Sequence, residues 1–163
     1  MIYLTLIVAI IIVSAVLVIR SSSGSSSLSS SLIGGKYFLR DLSGREFQFV
    51  PGSAKKTIIY FSPDCESCIY EVGEISKHQQ LFNQFQLYFL SDHSREKIRS
   101  FISKTNFQNH QQVFLYDSNS LFRAQHKIRL YPTILLGDNK GKIKRRVEGE
   151  MKIERLLSIL NNE

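Results

Sequence analysis

The chain has 163 residues, a formal net charge of +7, two cysteines and no tryptophan. Once an apolar N-terminal stretch is set aside, about 130 residues remain, which suits one domain with a sizeable core and leaves little for a second. The charge is dispersed. Its densest run, Lys140-Gly141-Lys142-Ile143-Lys144-Arg145-Arg146, carries no interleaved aromatics, so it reads as a solvated hairpin strand and not as a nucleic-acid site, with at most a weak attraction to anionic lipid.

Residues 2–19 form an almost uninterrupted run of Ile, Leu and Val bounded by Arg20. As a helix the run would measure about 27 Å, at the lower edge of what spans a bilayer. It exceeds the ~7–15 apolar residues of a cleaved signal peptide and lacks an A-x-A-type site, so an uncleaved single-pass anchor is expected. Residues 21–31 are nearly all serine. Such a stretch cannot bury apolar area to offset its ordering entropy, and it reads as a flexible tether of about 20 Å root-mean-square reach up to Gly35.

Residues 36–50 read as a β-hairpin, with Tyr37-Phe38-Leu39 and Glu46-Phe47-Gln48-Phe49 flanking Asp41-Leu42-Ser43-Gly44. Pro51-Gly52-Ser53 turns the chain into the β-rich Thr57-Ile58-Ile59-Tyr60-Phe61, which runs directly into Ser62-Pro63-Asp64-Cys65-Glu66-Ser67-Cys68. A C-x-x-C pair where a strand feeds a helix suits a reversible dithiol. The unpaired N–H groups and positive dipole end of the helix favour a thiolate, which makes Cys65 the expected nucleophile. Cys68, one turn further in, is the expected resolving thiol. Three plainer readings compete. A static disulfide over so short a loop removes little unfolded-state entropy. Half a zinc site would need more ligands, yet there is no second cysteine pair and His78, His93, His110 and His126 show no ligand spacing. Two unrelated buried thiols remain the third.

Ile69, Val72, Ile75, Phe82 and Phe85 recur at helical intervals after Cys68, with His78 at the edge of that face. Glu71, one turn beyond Cys68, is either a proton acceptor for that thiol or a simple complement to the helix dipole. Residues 86–91 read as a strand, Ser94 as the N-cap of a helix presenting Ile98, Phe101 and Ile102, residues 113–116 as a strand, and residues 120–125 as a short helix. This alternation argues for a parallel core around the cysteine strand. Pro132 opens the next strand, Leu130-Tyr131-Pro132-Thr133-Ile134-Leu135-Leu136, where it cannot donate to a ladder and needs a local reason, a cis peptide being one. Residues 137–141 turn into a strand over 142–147. The chain closes with a helix over 151–161, with Ile153, Leu156, Leu157 and Leu160 facing inward.

In this element order, residues 36–163 resemble the bacterial membrane-tethered thioredoxin-like thiol-disulfide oxidoreductases of the TlpA/ResA type, whose domain is redoxin-like (AhpC/TSA-like). The residues that carry the resemblance are the early hairpin, Phe61-Ser62-Pro63-Asp64-Cys65-Glu66-Ser67-Cys68, Glu71, the loop Tyr131-Pro132-Thr133 and the late turn Asp138-Asn139-Lys140-Gly141. The resemblance implies a cis proline beside the cysteines, a backbone edge at Tyr131 and Pro132 that docks a cysteine-containing protein substrate, and a glutamate at Glu71 that tunes the thiols. Two departures stand out. Asp64 replaces the usual tryptophan and Glu66 follows Cys65, and like charges disfavour a thiolate, so a reductant or isomerase-like thiol is expected. Ile59 stands where thioredoxins proper carry a buried carboxylate, leaving proton transfer to Glu71 or solvent.

The expected fold class is therefore α/β: a thioredoxin-like central mixed sheet flanked by helices, with an N-terminal β-hairpin extension and an N-terminal transmembrane helix. Residues 1–20 are read as the anchor, 21–35 as the linker and 36–163 as the domain. The expected activity is exchange of a Cys65–Cys68 disulfide with cysteines of another protein, with recharging by a separate dithiol donor and no bound cofactor. Arg20, the only flanking charge, would mildly favour a cytoplasmic domain. A tethered dithiol nevertheless has most work where disulfides persist, so the domain is expected on the extracytoplasmic side of the cytoplasmic membrane. The alternatives are a redox-inactive binding module that uses the proline edge, and a thiolate carrier of a soft ion such as Cu(I). A peroxide reductase fits less well, since no T-x-x-C precedes the helix.

Overall fold

The computed structural model describes residues 37–50, 54–107 and 113–162, together with Gly35, Gly52 and His110. The apolar run at 2–19 and the serine-rich tether up to residue 34 lie outside the described residues, as do Pro51 and Ser53 of the expected turn. Among the described residues no helix is long and apolar enough to cross a membrane.

Seven strands form one mixed sheet. They are β1 (Leu39–Asp41), β2 (Glu46–Phe47), β3 (Lys56–Tyr60), β4 (Gln86–Ser91), β5 (Phe114–Asp117), β6 (Thr133–Gly137) and β7 (Ile143–Glu148), in the order β2-β1-β5-β4-β3-β6-β7. β3, β4 and β5 run parallel, as the strand and helix alternation requires, and the remaining pairings are antiparallel. All five residues of β3 are buried, because helices cover both faces of the strand and no solvated side remains. Alternate residues therefore enter two cores. Ile59 and Phe61 join Cys68, Val72, Ile98 and Leu156 on one face, while Ile58 and Tyr60 join Leu90, Phe122 and Leu135 on the other.

The early hairpin packs against the far edge of β5, away from the cysteine strand. Asp41 closes it: its Oδ1 accepts the N–H groups of Ser43 and Arg45 at 2.9 and 3.0 Å, and Gly44 takes a φ of +97° that a Cβ would oppose. The first hairpin strand lies two residues later than the sequence suggested, running up to Asp41 at the turn itself, and the second stops at Phe47, short of Gln48 and Phe49.

Among the described residues four α-helices accompany the sheet: α1 (Glu66–Lys77), α2 (Arg95–Ile102), α3 (Leu121–Gln125) and α4 (Ile153–Asn162). The periodicity through Phe82 and Phe85 does not carry one helix that far. At His78 the backbone N–H is shared between the carbonyls of Glu74 and Ile75, and the chain tightens into a 3₁₀ turn over Gln79–Phe82. Phe82 is buried all the same. In α4 the inward residues are Ile153, Leu156, Ile159 and Leu160, with Leu157 only partly buried. The expected Leu157 is displaced because the stripe follows the i, i+3, i+6, i+7 path.

Ser94 caps α2 as expected, its Oγ accepting the Lys97 N–H at 3.4 Å. Ser94→Ala is expected to cost about 1 kcal/mol, read as a lowered urea midpoint with unchanged m-value.

Candidate active site

Strand register assembles the site. The parallel strands β3, β4 and β5 all end on one side of the sheet, and there the loops carrying Cys65, Asp92 and Ser120 emerge together. β6 runs the other way, so its beginning lies at that same end, with Thr133 directly opposite Tyr60. This register brings the loop of Tyr131 and Pro132 beside the cysteine loop. β7 then pairs Glu148 with Thr133, so the chain entering α4 passes the same end.

Cys65 is the N-cap of α1. Its Sγ accepts the Cys68 N–H at 3.4 Å, so the thiol takes the place of a capping oxygen at the positive end of the helix. The same sulfur donates to the Tyr131 carbonyl at 3.7 Å, and the Tyr131–Pro132 bond is cis. Cys65 is half-buried and Cys68 fully buried, and both are unbridged thiols. Burial pushes the Cys68 thiol well up, helped by its interaction with Cys65 and by the nearby Glu71 charge, and only the backbone at Ser62 opposes the shift.

Glu71 is fully buried. Its Oε2 accepts the Met151 N–H at 2.7 Å, across the sequence at the entrance to α4, and its Oε1 has no partner among the described residues. Burial pushes its carboxyl up to about 7, against the Met151 hydrogen bond, with Glu150 adding to the rise. This is not the environment of a solvated carboxylate complementing a dipole. Ile59 is buried among the same apolar residues as Cys68.

The two carboxylates flanking Cys65 are not equivalent, which corrects the expectation drawn from their sequence. Asp64 pairs with Lys97 of α2 at 2.6 Å and lies 3.8 Å from His93, and the Lys97 hydrogen bond holds its carboxyl below the usual range. Much of the repulsion assigned to Asp64 is thus offset by a cation 33 residues away, which no local pattern could reveal.

Sequence reasoning also missed the support beneath Tyr131. The Tyr60 ring stacks with the rings of Phe122, at 5.9 Å, and Tyr131, at 6.1 Å. The Tyr60 hydroxyl donates to buried Asp117 at 2.9 Å. Asp117 in turn caps α3 by accepting the N–H groups of Phe122 and Arg123, a task for which Ser120, at φ 55°, makes no side-chain hydrogen bond. The Arg123 guanidinium lies 5.6 Å from the centre of the Tyr131 ring and pairs with Asp92 at 3.0 Å. The only sequence signal was the Asp-Ser-Asn turn, which marks the end of a strand and says nothing about these partners.

No protein-family profile matches the sequence, and no curated protein matches it. Solved structures do match in shape. Over 82% of this chain and 96% of its own, dsbF of MTB superposes with a TM-score of 0.70 at 15% identity. A secreted Mycobacterium tuberculosis disulfide oxidoreductase described as homologous to E. coli DsbE gives 0.65 at 17% identity, over 76% of this chain and 93% of its own. The exposed lipoprotein thioredoxin Etrx1 of Streptococcus pneumoniae gives 0.66 at 15% identity, over 77% and 97%. The fold is thioredoxin-like.

Proposed function

We propose that the chain is a protein thiol-disulfide oxidoreductase in which Cys65 attacks, Cys68 resolves, Glu71 assists proton transfer, and Tyr131 and Pro132 dock the partner. The observation that carries this reading is the position of the Cys65 sulfur, at the N-cap of α1 and 3.7 Å from the carbonyl of the residue preceding Pro132. Among the described residues the Tyr131 amide has no hydrogen-bond acceptor, so a partner's extended segment finds a donor beside the attacking sulfur.

The chemistry runs in two exchanges. The Cys65 thiolate attacks one sulfur of a partner disulfide; a Cys65–partner bond forms as the partner's bond breaks, and the expelled partner thiolate takes a proton from water. Cys68 then passes its proton to Glu71 or solvent and attacks Cys65. The Cys65–Cys68 disulfide closes and the second partner thiolate leaves, again protonated from water. Two electrons have passed to the partner, and a separate dithiol protein returns the chain to its reduced form.

The direction as a reductant is supported by Glu66, the exposed carboxylate next to Cys65: a strong oxidant of this class owes its potential to a stabilised thiolate at the attacking cysteine, and a like charge beside it disfavours one. In a redox titration against glutathione, a midpoint more negative than about −180 mV is expected. A midpoint near the DsbA value of about −120 mV would contradict the direction.

The finer assignment, a single-pass anchored protein of the TlpA/ResA type acting outside the cytoplasm, is also proposed. Its support is the apolar run at residues 2–19, the serine-rich tether, the early hairpin, Glu71 and the proline loop. Two proteins of similar fold, one secreted and one an exposed lipoprotein, support that compartment. The full-length protein should stay with membranes through a carbonate wash; release by the wash would remove the anchor.

A further inference from the structure

We propose that the partner segment received at this site is acidic close to its cysteine and is held by a basic cleft that Arg123, Lys127 and Arg129 build beside Tyr131. The inference rests on the exchange reading above. The cleft is open, about 380 Å³ in volume, and is lined by Ser120, Arg123, Ala124, Lys127, Ile128 and Arg129, with no carboxylate in its wall. It adjoins the reacting sulfur through a short chain of contacts: the Arg123 guanidinium lies 5.6 Å from the Tyr131 ring centre, and the Tyr131 carbonyl lies 3.7 Å from Cys65 Sγ.

The wall of the cleft is held in shape from behind. Arg123 Nε donates to the Ile128 carbonyl at 3.4 Å, and Arg146 donates to the carbonyls of His126 and Lys127 at 2.5 and 3.1 Å. Asp92 neutralises much of Arg123. Lys127 and Arg129 are exposed and form no ion pair among the described residues, so they supply the uncompensated charge. Beside Cys65 itself Asp64 is paired with Lys97, so the uncompensated charge at the proline-loop side of the site is the positive one of Lys127 and Arg129, which selects a segment by its sign. An extended strand advances about 3.3 Å per residue with alternating side chains. Residues two and four positions from the partner's cysteine, about 7 and 13 Å away, are those that pass the cleft.

The test uses reduced full-length protein and short peptides whose single cysteine is blocked as a mixed disulfide with neutral 2-thiopyridine. Cys65 attacks the peptide sulfur and expels the thiopyridine; Cys68 then closes the disulfide and releases the peptide thiol. Glu, Gln or Lys occupies the positions two and four from the cysteine on either side, and dipyridyl disulfide reports on the thiols without a peptide. The Glu peptide is expected to react about tenfold faster than the Lys peptide near 20 mM salt and within about twofold of it near 0.5 M. Lys127→Gln with Arg129→Gln should bring the ratio towards one, and Lys127→Glu with Arg129→Glu should reverse it. A native ratio at or below one, or a ratio that neither double substitution moves, overturns the cleft assignment and leaves the exchange reading standing. No reaction with dipyridyl disulfide overturns both.

Discussion

Replacing Cys68 with serine is expected to turn the protein from a catalyst into a trap. Turnover on a disulfide substrate should fall by about a hundredfold or more, while a mixed disulfide between Cys65 and the partner accumulates. The asymmetry of the two sulfurs is the reason. Cys65 is half-exposed at the N-cap, where the Cys68 N–H meets its sulfur, so it can still attack when Cys68 is gone. Release of the partner needs a second sulfur within reach, and a serine hydroxyl does not attack a disulfide. Cys65→Ser should lose turnover and trap nothing. Because Cys68 is fully buried, a urea melt of Cys68→Ser must accompany the assay, so that loss of fold is not read as loss of resolution. If the folded variant captures no partner, the cysteines are vestigial and the proline edge serves a binding module. The copper-carrier reading separates on the unmodified protein: reduced chain that takes up Cu(I) stoichiometrically but traps no partner would support it.

The fold was legible because strand and helix periods agree with the tertiary structure over most of the chain. Ile58 and Ile59, Leu90, Phe114 and Leu135 lie in short continuous apolar runs, the pattern of strands covered on both faces. The cysteine pair and Pro132 could be named from sequence for the same reason, since each sits at the end of such a run. Their mutual approach follows from the pairing of Tyr60 with Thr133, a register that sequence can suggest only through the order of elements. What could not be read were contacts made by side chains from distant segments. Lys97 against Asp64, Arg123 over Tyr131 and Met151 against Glu71 join residues 33, 8 and 80 positions apart with no shared pattern. The end of α1 at Lys77 was hidden as well, because Phe82 and Phe85 fall at helical intervals whether or not the helix continues through His78.

Glu71→Gln is expected to change both the pH dependence of stability and that of exchange. In the folded chain burial holds the Glu71 carboxyl up at about 7, above the model-peptide value of 4.5. The folded state therefore binds the proton more tightly than the unfolded state. The contribution of this group to stability is most favourable below the unfolded value, declines as pH rises between the two, and is fully lost above the folded one. From the separation of the two values the loss is about 3 kcal/mol between pH 4 and pH 8. His126 opposes this trend: burial and Arg146 hold it down at about 4 from 6.5, so its contribution rises with pH across that window. The difference between native protein and Glu71→Gln isolates the carboxyl. Glutamine keeps an acceptor for the Met151 N–H and carries no charge, so the variant should gain on the native protein in urea midpoint as pH rises from about 4.5 to about 7 and keep that gain above it. Equal slopes for the two proteins would mean that Glu71 titrates as though solvated. Exchange supplies the readout that a structural role would not move. If Glu71 takes the Cys68 proton, the single-turnover rate of the native protein inflects near pH 7 and Glu71→Gln loses that inflection. A variant that shifts stability but keeps the native rate profile would leave proton transfer to solvent, with Glu71 serving only to fasten the start of α4 behind the cysteines.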